Sequence, residues 1–238
     1  EMLKEDGYYS AVFHANNKSF WNRDIVYNSF GVDRFFSETD YDLGDPADLT
    51  EWGLLDDKFF EQSLPMLKDL PRPFYSKFIT LTNHYPFEMP KPEDELVPPL
   101  ETSSTTLNHY VQALAYQDMA LGKFIEGLKK DGTWDDTIFM VYGDHYGIST
   151  NHNAAMAELM NKDELTPYDV AQLQRVPFVI HLPGQTKGVK HEDVASQIDI
   201  KPTLLHLLGQ DFKNEVLFGT DLFSKQHKDY ALFRDGSV

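Results

Sequence analysis

The sequence contains no cysteine. That excludes a disulfide framework, a thiol nucleophile and a thiolate metal site. It does not fix a compartment, because the cytosol and an oxidising exterior are both compatible with it. No apolar run approaches the roughly 20 residues that a membrane-spanning helix needs, and no signal-peptide pattern opens the chain. Positive charge is scarce: 21 Lys and Arg stand against 38 Asp and Glu, a formal net charge of −17 in 238 residues. Such a field repels nucleic acid, and no local Lys/Arg cluster offsets it, so nucleic acid is not an expected partner. A Gly-rich phosphate loop, a G-x-S-x-G nucleophile elbow, internal repeats and low-complexity tracts are all missing.

What is present suffices for a packed core. Hydrophobic residues make up 41% and aromatics 13%, which excludes a disordered chain. The length suits one large domain or two small ones. Both ends look cut. Glu1-Met2-Leu3-Lys4-Glu5-Asp6-Gly7 reads as the end of a helix with its glycine stop. Tyr230-Ala231-Leu232-Phe233 reads as a strand, with Asp235-Gly236 as a hairpin turn that lacks its return strand. The chain therefore reads as a fragment of something longer.

Strands and helices alternate along it. Tyr8–Phe13, Phe74–Leu81, Thr137–Tyr142 and Val176–Leu182 read as strands, and the continuous apolar run Thr137–Tyr142 is expected to be buried on both faces. Ser19–Phe30 has helical character. Thr105–Lys130 is the clearest helix: Leu107, Val111, Leu114, Asp118, Leu121, Phe124, Ile125 and Leu128 fall mostly three or four residues apart, Thr102 to Thr105 offer caps, and Lys129-Lys130 suits the C-terminal dipole. A second helix runs from an Asp199 cap through Pro202 to a stop at Gly209. Pro86–Glu101 is a loop. This pattern predicts an α/β fold with a mainly parallel central sheet flanked by helices.

In open α/β sheets, ligands bind beyond the carboxyl ends of the strands, which singles out three segments. Tyr142-Gly143-Asp144-His145-Tyr146-Gly147 follows the most apolar strand, and there a carboxylate next to an imidazole on a Gly-flanked turn can ligate a divalent cation; an Asp-His pair is also often only a turn. Thr82-Asn83-His84-Tyr85-Pro86 follows strand 74–81. His84 there fits proton transfer, phosphate binding or an ordinary loop histidine equally well. His14-Ala15-Asn16-Asn17-Lys18-Ser19-Phe20-Trp21-Asn22-Arg23 follows strand 8–13; Arg23 suits bidentate phosphate contact and Trp21 suits stacking, while a helix-packing anchor beside a solvated Arg is the bland alternative. Weaker candidates are His152, seven residues after His145, which reads as a second metal ligand or, better, as a polar surface histidine, and His109, His181 and His206, which read as surface or packing histidines. The acidic stretch Glu38, Asp40, Asp42, Asp45 and Asp48 lacks an EF-hand pattern and reads as a solvated loop.

Three runs carry a family resemblance. Tyr116-Gln117-Asp118-Met119-Ala120-Leu121-Gly122-Lys123-Phe124, Thr137 through His145, and Gln197-Ile198-Asp199-Ile200-Lys201-Pro202-Thr203 through Gly209 resemble the sulfatase-like branch of the alkaline phosphatase superfamily. Within that branch, Phe13-His14, Lys18-Ser19-Phe20-Trp21-Asn22-Arg23 and Phe78-Ile79-Thr80-Leu81-Thr82-Asn83-His84 resemble the lipoteichoic acid synthases of Gram-positive bacteria. The resemblance implies a polytopic membrane protein with an extracellular catalytic domain, from which a cleaved domain is released. Such enzymes move glycerol-phosphate from phosphatidylglycerol onto a glycolipid-anchored polyglycerolphosphate chain through a threonine nucleophile at a Mn²⁺ site, with Mg²⁺ as a substitute. It implies Asp144 and His145 as metal ligands, His84 at the substrate phosphate, Trp21 and Arg23 around the glycerol-phosphate, and His14 near that pocket.

One departure is serious. The family's nucleophilic threonine and its other metal carboxylate lie upstream of the segments matched, and Thr82, Thr105 and Thr150 do not sit in the nucleophile's context. Residues 1–238 are thus expected to be the C-terminal portion of one sulfatase-like catalytic domain, inactive alone and completed by an N-terminal remainder. The alternatives are a sulfatase, phosphodiesterase or phosphoethanolamine transferase of the same fold, which need not share Trp21-Asn22-Arg23, and a non-catalytic module that grips anionic wall polymer.

Overall fold

The structure, a computed structural model, describes residues 2–91, 96–210, 216–233, 236 and 238. The chain divides into two compact units, Glu1–Gly184 and Gln185–Val238. The first contains α1 (Met2–Glu5), β1 (Tyr9–Phe13), α2 (Arg23–Ser29), β2 (Arg34–Phe36), β3 (Leu49–Thr50), β4 (Gly53–Leu54), α3 (Asp56–Lys68), β5 (Phe74–Phe78), α4 (Thr105–Lys130), β6 (Phe139–Tyr142), α5 (Asn153–Leu159), α6 (Pro167–Gln172) and β7 (Phe178–His181). The second contains α7 (Ile200–Leu207).

The sheet that positions the site is parallel, in the order β2-β1-β5. Its register sets Phe13 opposite both Phe36 and Phe78. The three rings stack across the strands with centroids 4.5 Å apart on each side, cross-strand contacts of the kind that stabilise a sheet. Helices α3 and α4 cover this face: Phe60 stacks on Phe124 at 4.5 Å, and Phe124 lies 5.0 Å from Phe78. The next row, Val12 with Phe35 and Lys77, points to the other face. There Tyr27 of α2 meets Phe35 at 5.5 Å and lies under the Lys77 ammonium at 5.9 Å. The expected sheet with helices on both faces is thus observed.

Helix α4 has the expected bounds. The Ser104 side chain accepts from the Leu107 N–H, and Lys129 and Lys130 occupy the last turn. Its buried face differs from the expected stripe, comprising Leu107, Gln112, Ala113, Tyr116, Ala120, Phe124 and Leu128, with Leu114 exposed. Ala113 and Ala120 let α4 approach its neighbours closely, and Gln112 turns inward because its amide accepts from the Val97 N–H and donates to the Val97 carbonyl. The run 137–142 does not become a strand buried on both faces. β6 pairs antiparallel with β7 in a two-stranded ladder, none of its residues is buried, and Tyr142 is exposed. In the second unit, Asp199 accepts from the Ser196 and Thr220 N–H groups at the start of α7. Gly209 ends that helix region at φ 68°, the left-handed stop expected from sequence. Residues 230–233 form no strand; the hairpin turn expected after them includes Asp235, which lies outside the described residues, as does Glu1.

The β3–β4 turn is seated tightly. Gly53 has φ +146°, and a Cβ there would lie 2.1 Å from the Ala15 carbonyl oxygen. Gly53→Ala is expected to cost about 2–3 kcal/mol through backbone strain and overpacking. A thermal melt checks this, and a melting temperature equal to wild type would show that the turn is loosely held.

Candidate active site

Three loops that follow β1, β5 and β6 supply the polar groups. After β1 the backbone enters an unusual conformation: Trp21 and Asn22 are both left-handed, at φ 55° and 53°. Two consecutive non-glycine residues in that region store strain, which persists where surrounding contacts over-determine the loop. The consequence here is an exposed indole, with Trp21 74% accessible. Trp21 stacks on Phe20 at 5.4 Å, and the Arg23 guanidinium lies 5.2 Å from the Trp21 centroid and 5.5 Å from that of Phe20. Arg23 Nη1 is buried and has no hydrogen-bond partner. Burial pushes the Arg23 guanidinium below its ordinary pKa, and Tyr27 and Asp144 act in the opposite direction.

A line of ring contacts joins the loops. Phe20 meets Trp52 at 5.8 Å, Trp52 meets the His84 ring edge-on at 4.7 Å, and His84 meets His145 at 6.1 Å. His145 Nε2 lies 3.8 Å from Asp144 Oδ1, and both side chains are largely exposed. His84 Nδ1–H donates to the Tyr85 carbonyl at 2.9 Å, and His145 Nδ1–H donates to the Tyr146 carbonyl at 2.8 Å. A carbonyl only accepts, so in each neutral ring the proton sits on Nδ1 and the Nε2 lone pair is the presented group. For His145 this is the arrangement of a metal-ligating imidazole whose other nitrogen is fixed by a backbone carbonyl.

Trp21, Arg23, His84, Asp144 and His145 are therefore brought together. His14 lies beneath them, 1% exposed, its Nδ1–H donating to the Ile79 carbonyl at 3.0 Å and its Nε2 without a partner. Burial pushes its pKa down to about 4 despite the Ile79 bond, and Arg23 and Lys77 push it further down. Its ring is therefore buried and neutral near pH 7, with an Nε2 that no protein group bonds. His152 lines a cavity of about 490 Å³ with His145, Tyr146 and Tyr85, and its Nδ1 is 2.8 Å from Ser104 Oγ. His181 stacks on Trp134 at 4.1 Å, and His206 pairs with Asp221 at 2.8 Å in the second unit.

Sequence reasoning missed two residues that organise this site. Trp52 links the Phe20 and His84 loops. Asp56, fully buried at the start of α3, accepts from the Leu81 N–H at 2.9 Å and the Thr82 N–H at 3.2 Å. Both follow the acidic stretch read as a solvated loop, and neither lies in a periodic or motif-like run. Among the described residues no group of three or more His, Cys, Asp or Glu is placed to hold a metal ion. Asp144 and His145 offer one oxygen and one nitrogen donor. That set fits a divalent cation and leaves the rest of its coordination sphere to other ligands.

Comparison with known proteins bears out the resemblance. The chain is 52% identical over 239 residues to the lipoteichoic acid synthase-like protein YvgJ of Bacillus subtilis (strain 168), an alignment covering 100% of this chain and 38% of that protein. It is 45% identical over 235 residues to lipoteichoic acid synthase 2 of the same organism, covering 99% and 36%. The crystal structure of the lipoteichoic acid synthase LtaP from Listeria monocytogenes matches with a TM-score of 0.78 at 31% identity, covering 92% of this chain and 54% of that one. The chain thus spans well under half the length of the curated relatives it matches. That fold is typically served by divalent metal. The model that describes the family as Sulfatase matches residues 1–210, across both units, and the chain belongs to the Sulfatase family.

Proposed function

We propose that this chain is the substrate-recognition portion of a phosphoglycerol transferase that extends lipoteichoic acid. In this reading the complete protein moves glycerol-phosphate from phosphatidylglycerol to a glycolipid-anchored polyglycerolphosphate chain at the outer face of a Gram-positive cell membrane. The nucleophilic threonine and a second metal carboxylate come from sequence upstream. The lengths and names of the relatives support this. Among the described residues no helix is long and apolar enough to cross a membrane, so anchoring is assigned to segments outside this chain. The observation that carries the reading is Arg23: its buried Nη1 has no hydrogen-bond partner, its guanidinium lies over the exposed Trp21 and feels the charge of Asp144, and Asp144 adjoins the His145 ring, which meets that of His84.

Each group has a task in this reading. Arg23 takes the phosphoryl oxygens of the donor and balances their charge as bonds to phosphorus change. Trp21, over Phe20, forms a flat wall for the glycerol carbons. His84 holds the Nε2 lone pair toward the reacting oxygen, where it accepts a proton from the acceptor hydroxyl or returns one to the leaving alkoxide. Asp144 and His145 would hold Mn²⁺, or Mg²⁺ in its place; when bound, the cation would supply charge that lowers the pKa of the attacking hydroxyl and neutralises the transition state.

Replacing Asp144 and His145 together with Ala in the complete protein is expected to weaken Mn²⁺ binding by at least about tenfold, since two ligands are lost where even a supporting residue is worth that much. Calorimetric titration with Mn²⁺ measures it. Undiminished, stoichiometric binding by the variant would remove both residues from the metal site and the reading with them.

A further inference from the structure

We propose that Trp52 is a positioning residue that sets the orientation of His84, and that the 50–56 segment is a clamp holding the recognition loops after β1 and β5 in one arrangement. The proposal rests on the phosphoglycerol transferase reading above, because it assigns a task to a residue that acts through His84.

The decisive contact is shared. The Tyr85 carbonyl accepts the Trp52 Nε1–H at 2.7 Å and the His84 Nδ1–H at 2.9 Å. The oxygen that fixes the His84 tautomer is therefore itself held by the indole. Trp52 also touches the His84 ring edge-on at 4.7 Å, so it constrains the imidazole through its backbone and through its face. On its other side Trp52 meets Phe20, on which Trp21 stacks. One indole thus sets the distance between the proton-handling ring and the glycerol-facing wall.

The rest of the segment makes the clamp stiff. Thr50 Oγ1 accepts from the Trp52 N–H at 3.1 Å and donates to the Gly53 carbonyl at 3.1 Å, closing the turn on itself. Gly53 rests against the Ala15 carbonyl with no room for a side chain. Asp56 binds the Leu81 and Thr82 N–H groups, and the Asp56 N–H donates to Thr82 Oγ1 at 2.8 Å. The β5 loop is therefore held just before His84 by Asp56 and just after it by Trp52, while the β1 loop is held by Gly53. A group placed for proton transfer loses rate when misplaced by an ångström, even where nothing touching substrate has changed.

A double-mutant cycle in the complete protein tests this, using diacylglycerol release from phosphatidylglycerol vesicles with Mn²⁺. Trp52→Phe keeps a ring against Phe20 and His84 and deletes only the donor. It is expected to lower kcat at least tenfold, leave KM within about twofold, and leave the melting temperature near wild type. His84→Ala alone should remove most turnover. In the His84→Ala background, Trp52→Phe should have no further effect, because a residue acting only through His84 has nothing left to position. Additive losses, or a Trp52→Phe enzyme with normal kcat while His84→Ala is inactive, would overturn the positioning role and leave the transferase reading intact. Normal turnover by His84→Ala would overturn the role given to His84 and the clamp with it. Trp52→Leu carries the same cycle if the Phe variant fails to fold.

Discussion

Arg23→Ala in the complete protein is expected to abolish most phosphatidylglycerol turnover without lowering the melting temperature. Loss of a buried charged contact to a phosphate costs about 2–5 kcal/mol, which is roughly thirty-fold to several thousand-fold in rate. The expected neutrality toward stability comes from the unliganded geometry. Arg23 Nη1 is buried without a partner, and a polar group left in that state costs about 1–3 kcal/mol. Against this, the variant loses two cation–π contacts, with Phe20 and Trp21, each worth about 0.5–1 kcal/mol when exposed. The terms oppose, and their ranges leave a net change between about 1 kcal/mol of destabilisation and about 2 kcal/mol of stabilisation. Activity assays paired with thermal melts read both halves. Wild-type turnover would return Arg23 to a packing role, and a loss of activity matched by a large loss of stability would mean the same.

That expectation fits how the loop is built. Trp21 and Asn22 are held in the left-handed region and the indole projects into solvent, an arrangement that a loop optimised for stability would not keep. Apolar exposure at Trp21, backbone strain at Trp21 and Asn22, and a buried guanidinium nitrogen without a hydrogen-bond partner at Arg23 fall in three consecutive residues, a combination that suits an anionic, carbon-backed ligand.

How much of this was legible in the sequence depended on the range of the interaction concerned. Local signals worked. Ser104 and Lys129-Lys130 bounded α4, and Gly209 ended the region of α7. The loops bearing His84, Asp144 and Trp21 were found because a strand's carboxyl end is a local feature of the chain. Signals that needed a partner failed. The run 137–142 looked like a central strand, but its burial depends on the number of neighbouring strands, and only β7 pairs with it among the described residues. Helix α3 was hidden by its acidic start at Asp56-Asp57 and by Pro65 in its interior. Those same acids fit the positive end of a helix dipole, while Asp56 turns inward to the loop before His84. Trp52 and Asp56 are recognisable only once segments some 30 residues apart are seen to meet.

The pH dependence of stability provides the second large effect. Burial pushes the Asp56 carboxyl up from 3.8 to about 6, although bonds from Leu81 and Thr82 favour its ionised form. Burial pushes His14 down from 6.5 to about 4. The signs oppose. Between pH 4 and 6 folded Asp56 binds more proton than the unfolded chain, so its contribution is present below pH 3.8 and is lost as pH rises through about 6. Folded His14 binds less proton than the unfolded chain, so its contribution is present above pH 6.5 and is lost as pH falls through about 4. Each is worth about 3 kcal/mol across its window, and in the wild type they largely cancel. Asp33 and Asp169, held down to about 2 chiefly by Lys4 and by Lys162, titrate below this range and leave it clear. Asp56→Asn keeps an oxygen for the Leu81 and Thr82 N–H groups and removes one of the two opposing titrations. The variant should gain stability steeply, by about 3 kcal/mol, as pH rises from 4 to 6.5, where the wild type is nearly flat. Thermal melts of both proteins at half-unit pH intervals decide it: parallel curves would mean that Asp56 is ionised at ordinary carboxyl pH and is paired more fully than its surroundings indicate.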